Sequence, residues 1–240
     1  MDPFSGTIDV HTHYVPRGWP DLGADAPWLR LDSERDAMIM VGSSEFRRIE
    51  SDCWDAEVRL ADMDADSVRA QVVSPTPVVF SYDALVGEAA KIARIFNDLA
   101  VEICEPGGGR LIPFCEVPLQ DPDEACAELD REVHSGHIGV EIGNHVGDRD
   151  LDSAGVVQFL QHAASRGAPV FVHPWDMPDS PRLDRWMARW IIEMPAETHL
   201  SIMAMILEGV FDQVPEELRV CFAHGDGAAV GRGDRARRRR

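Results

Sequence analysis

The feature that most constrains this chain is a short apolar run followed by a longer stretch of helical periodicity, met repeatedly along the sequence. The runs cover residues 7–10, 70–74, 110–115, 138–142, 169–172 and 218–222, each apolar nearly throughout instead of alternating. Parallel strands covered on both faces and joined by helical crossovers have this form. Residues 55–64, 83–105, 121–135 and 153–166 repeat apolar residues at helical spacing behind acidic or Ser starts, and 181–209 reads as a crossover in two helical pieces. The predicted fold class is α/β, a (β/α)8 barrel of the TIM type with about six of its βα units present.

Residues 1–231 are read as this single domain, C-terminally truncated or frameshifted, because no further βα unit follows Phe222. Arg232, Arg235 and Arg237 to Arg240 make residues 232–240 a basic tail that is expected to be disordered. Residues 16–52 break the alternation, being rich in Trp, Asp, Gly and Ser. An insertion after the first strand is where a barrel enzyme would carry substrate contacts; a plain surface excursion is the alternative.

With 23 basic against 42 acidic residues the net charge is −19, which argues against nucleic acid or an anionic membrane as partner. Five cysteines without a C-x-x-C pair, no leader-like start and no long uninterrupted apolar window fit a cytoplasmic chain.

Asp9-Val10-His11-Thr12-His13 places two imidazoles two residues apart at the end of the first strand, where period-2 geometry turns both to one face. His173 follows Val170-Phe171-Val172, and His224 follows Val220-Cys221-Phe222-Ala223, so three strands deliver imidazoles to one rim. Neutral imidazoles at that density suit a borderline metal such as zinc, and catalytic groups of barrel enzymes gather at that rim. Hydrogen-bonded structural histidines are the other reading.

Longer segments point further: Val117-Pro118-Leu119-Gln120-Asp121, Ile142-Gly143-Asn144-His145-Val146-Gly147-Asp148, Val172-His173-Pro174-Trp175-Asp176-Met177 and Met194-Pro195-Ala196-Glu197-Thr198. Together with the His-x-His opening they resemble the aminocarboxymuconate-semialdehyde decarboxylase family of the amidohydrolase superfamily, over roughly residues 8–227. The resemblance implies one Zn2+ per chain, or another divalent transition metal, held by His11, His13 and His173. An eighth-strand Asp, for which this chain offers no candidate, would complete the set.

By the same resemblance His224 is the catalytic histidine beside a zinc-bound water, and Arg47 grips a substrate carboxylate. Trp190, Met177 and Phe80 line the pocket, core packing being the other reading for the last two. The implied activity is non-oxidative decarboxylation of 2-amino-3-carboxymuconate-6-semialdehyde, a tryptophan catabolite, or of a related unsaturated or aromatic carboxylic acid. A homodimer is the family's usual assembly. The alternatives are an amide or lactone hydrolase, disfavoured because Lys91 is the sole lysine and sits mid-helix, and an inactive truncated homologue. Two departures stand out: Gly42-Ser43-Ser44-Glu45 where the family carries a lysine, and Asp226 beside the His224-Gly225 pair.

Overall fold

The computed structural model describes residues 6–23, 26–178 and 180–224. β1 (Thr7–Tyr14) is followed by an excursion of three strands, β2 (Pro27–Leu31), β3 (Asp36–Val41) and β4 (Ser44–Glu50). Then come α1 (Ala56–Ala65), β5 (Val68–Pro75), α2 (Val86–Cys104), β6 (Leu111–Cys115), α3 (Pro122–Ser135) and β7 (Gly139–Gly143). A small hairpin of β8 (His145–Val146) and β9 (Arg149–Asp150) precedes α4 (Ala154–Ser165), β10 (Val170–His173), α5 (Met194–Leu207), α6 (Val210–Gln213) and β11 (Val220–Phe222).

β1, β5, β6, β7, β10 and β11 form one parallel sheet in that order. Spatial order equals chain order and never reverses, which is the singly wound topology of a β/α barrel and not that of a doubly wound sheet. The six predicted strands are these six. Among the described residues β1 and β11 remain the sheet's two edges, yet the rings of His11 and His224 come within 4.9 Å of each other, so the sheet curls as a barrel wall does.

The first strand is longer than its apolar run suggests. Pairing with β5 continues through His13↔Ser74 and Tyr14↔Pro75, with an irregularity between Asp9 and Thr12, so both histidines lie within the strand. The excursion over residues 16–52 is an antiparallel sheet, β2-β3-β4, whose inner face buries Ala37, Ile39 and Ile49 against the core formed by Tyr14, Phe96 and Ala100. A second core, centred on Leu129, Ile142, Phe159 and Leu160, packs α3 and α4 onto β7 and β10. Inside the curl lies an apolar layer of Val72, Phe114, Phe171 and Ala223. Phe114 fits there only because residue 139 is glycine: a Cβ at that position would sit 2.3 Å from the ring.

The start of α3 shows how the chain sets a helix boundary. Asp121 caps α3 by accepting from the Asp123 and Glu124 amides, both at 3.1 Å, with Pro122 preset for the first turn and acids filling it. Asp121→Ala is expected to cost about 1 kcal/mol, a melting temperature about 2–4 °C lower for a chain of this size. Thermal unfolding followed by circular dichroism checks this, and Asp121→Ser should keep most of the loss from appearing.

The fifth crossover is in pieces, as its sequence suggests: a π-helical turn at Arg189–Glu193 runs into α5, whose Pro195 is tolerated in the first turn. Ile206 and Leu207 at the end of α5 are 59% and 71% exposed. No described helix is long and apolar enough to cross a membrane. The basic tail and Asp226 lie outside the described residues.

Candidate metal centre

β1, β10 and the residue after Ala223 bring four imidazoles together at the carboxyl ends of the strands. Ring centroids are 5.1 Å apart for His11 and His13, and 5.0 Å for His173 from either of them. His224 stands 4.9 Å from both His11 and His173. Candidate ligand atoms of His11, His13 and His173 all lie within 4.8 Å of one another, a separation one ion can span.

Hydrogen bonding settles which nitrogens face inward. His173 Nδ1 is 2.9 Å from the Pro174 carbonyl, which can only accept, so Nδ1 carries the proton and Nε2 is a bare lone pair. His13 Nδ1 is 3.2 Å from Ser74 Oγ, and that hydroxyl already donates to the Thr12 carbonyl, 3.3 Å away. His13 therefore donates from Nδ1 as well. Its Nε2 is buried with no hydrogen-bond partner, an orphaned lone pair of the kind a cation satisfies.

All four imidazoles are held neutral. Burial, and then His224, brings His11 down to about 4; burial, and then His11, brings His13 down to about 3, although the Pro75 backbone pulls the other way. Burial also lowers His173 and His224. A dense set of unprotonated imidazoles is what a transition metal ion needs as ligands, so the residues present fit the ion.

The backbone under the site is tied down by Arg59, which is 6% exposed. It donates to the His13 carbonyl at 2.8 Å, the Asp52 carbonyl at 2.9 Å and the Gln71 side chain at 3.2 Å. Nothing in the sequence pattern of α1 signals that role.

The excursion sheet reaches the same rim. Arg47, on β4, is near enough that its charge lowers His224, His11 and His13. Its neighbour Phe46 packs against Trp175 at 5.8 Å and Trp190 at 6.5 Å, which sets both tryptophans beside β4. Met177 is half-buried in the loop after β10. Phe80 is buried, stacked on Tyr82 at 5.3 Å, and together with Trp175 lines a cavity of about 650 Å³. That cavity lies between the excursion and α2 and is not walled by the four histidines. Phe46, Trp175 and Tyr82 were not singled out from sequence; Trp175 sits in the His-Pro-Trp-Asp-Met segment and Phe46 beside Arg47, which are the only signals for them.

A singly wound β/α wall with imidazoles converging at the carboxyl ends of its strands defines a barrel protein built around a metal site. Residues 8–239 match the amidohydrolase family Amidohydro_2, and the chain belongs to that family. It is 36% identical, over 92% of its length, to 2-amino-3-carboxymuconate-6-semialdehyde decarboxylase of Dictyostelium discoideum, and spans 63% of that protein. It is 30% identical to the enzyme of the same name from Caenorhabditis elegans, over 93% of its length and 69% of the relative's. The crystal structure of Metarhizium anisopliae IDCase in apo form superposes with a TM-score of 0.75 at 20% identity, covering 92% of this chain and 66% of that one, and supports the fold.

Proposed function

We propose that the chain is a zinc-dependent, non-oxidative decarboxylase acting on 2-amino-3-carboxymuconate-6-semialdehyde or a closely related unsaturated carboxylic acid. The observation that carries this reading is the convergence of four neutral imidazoles, three of them with ligand atoms within 4.8 Å of one another. The names borne by the Dictyostelium and Caenorhabditis relatives point to the substrate.

His11, His13 and His173 would hold the ion, which when bound would supply Lewis acidity toward negative charge developing on the substrate. Arg47 offers its guanidinium fork to a substrate carboxylate and orients it. Trp190 and Met177 supply apolar walls that exclude water from the reacting end, and Phe80 lines the adjoining cavity with Trp175. His224, a neutral imidazole with its Nε2 3.2 Å from His173 Nε2, serves as a relay that takes a proton from water at one ring nitrogen as it gives one from the other. The balance is simple: the bond from carbon to carboxylate breaks, carbon dioxide leaves, and the electron pair left on carbon takes up the relayed proton, with solvent as its source.

Steady-state carbon dioxide release from the freshly generated semialdehyde tests the reading. Arg47→Ala is expected to raise KM about 10- to 100-fold, the worth of one charge-assisted hydrogen-bond pair, with a smaller effect on kcat. No release by the zinc-loaded wild-type chain, or an unchanged KM in the variant, would count against it.

A further inference from the structure

Glu141 lies at the middle of β7, fully buried, on the inward face of the curled sheet. Neither of its carboxyl oxygens has a hydrogen bond of good geometry. The groups facing it are His13 Nδ1, 3.7 Å from Oε1, and the Ser74 hydroxyl. No arginine or lysine pairs with it among the described ion pairs, and none pairs with its buried neighbour Glu116, whereas the buried Glu128 and Glu132 are met by Arg131. Burial pushes the Glu141 carboxyl well above the usual carboxylate range, and the Ser74 hydroxyl pulls the other way. On the far side of the His13 ring is the orphaned Nε2, turned toward His11 and His173.

We infer that Glu141 is a positioning residue for the candidate metal centre: with Ser74 it fixes the His13 ring so that Nδ1 bears the proton and Nε2 meets the ion. The carboxyl group stands on the Nδ1 side of the ring, opposite the orphaned Nε2, and so holds the ring's orientation and tautomer. Three geometric facts converge on this. Ser74 Oγ spends its own proton on the Thr12 carbonyl, so it accepts from Nδ1. Glu141 backs the same nitrogen. Its carboxyl is not among the ligand atoms of His11, His13 and His173 that lie within 4.8 Å of one another, so its place is behind that cluster.

The inference rests on the reading that His11, His13 and His173 bind a divalent ion. Its test measures zinc affinity of the full chain by competition with a chromophoric chelator, and the visible absorption of the Co2+-loaded chain, for wild type, Glu141→Gln and Ser74→Ala. Glu141→Gln keeps the shape and is expected to weaken zinc about 10- to 100-fold at an unchanged stoichiometry of about one ion per chain, and to shift the Co2+ bands. Ser74→Ala is expected to act in the same direction, and carries the test on its own if the Gln variant does not fold.

Wild-type affinity and spectrum in both variants would overturn the inference. So would a wild-type chain that binds two ions and loses one with Glu141→Gln, since Glu141 would then be a direct ligand. Wild-type protein that binds zinc but releases no carbon dioxide would sink the decarboxylase reading and leave this one standing, whereas a wild type with no zinc affinity would overturn both.

Discussion

His173→Ala is expected to lower zinc affinity by more than about 100-fold, exceeding the ~10- to 100-fold loss typical of outer partners, and to abolish turnover. His173 is 4% exposed at the last position of β10, with its Nδ1 proton committed to the Pro174 carbonyl and its Nε2 directed at the cluster. Its ring is 5.0 Å from both β1 imidazoles, so its loss leaves two donors on one strand and removes the third corner of the triangle. His224 stands close to the vacated position but is half-exposed and comes from a different strand end, so it does not replace the geometry. Competition titration reads the affinity directly. An unchanged dissociation constant would mean that the ion, if bound, sits elsewhere.

Asn97→Ala is expected to destabilise the fold by about 3 kcal/mol without touching the histidines. Asn97 is fully buried on α2 and does three things. Its Nδ2 donates to the Glu116 carbonyl at 2.9 Å and to Glu128 Oε1 at 3.1 Å, and its Oδ1 accepts from the Glu116 amide at 2.8 Å. Alanine strands both backbone groups of Glu116 in the interior and removes a donor from a buried carboxylate, at about 1–3 kcal/mol for each unsatisfied group with partial relaxation. For a chain of this length that is a fall of about 6–12 °C in melting temperature. A shift within about 2 °C would show that water or neighbouring groups take over the bonds.

The parallel sheet was legible because six of its strands are apolar on both faces and follow one another in chain order; helical periodicity and capping acids filled the gaps. The four histidines were legible for a related reason, since each sits where an apolar run ends. What escaped was set by alternation or by the third dimension. β1 reads as ending at Val10 because imidazoles are polar, yet their burial inside the curl lets the pairing run to Tyr14. The β2-β3-β4 sheet is half-buried, so its apolar residues alternate with Arg30, Arg47 and Arg48 and resemble loop composition. Glu141 within Gly-Val-Glu-Ile-Gly is an acid inside an otherwise apolar run, and only the curl of the sheet brings it behind His13. Arg59, on an exposed-looking helix, becomes a clamp only because its side chain reaches back to the His13 carbonyl.

The central claim is that His11, His13 and His173 hold one ion that supports decarboxylation. The most direct test is carbon dioxide release by the chain stripped with a chelator and then restored with one equivalent of Zn2+. The account predicts no release from the stripped chain, recovery that saturates near one ion per chain, and no recovery in His173→Ala. Equal release with and without the ion, or full recovery in His173→Ala, would contradict it.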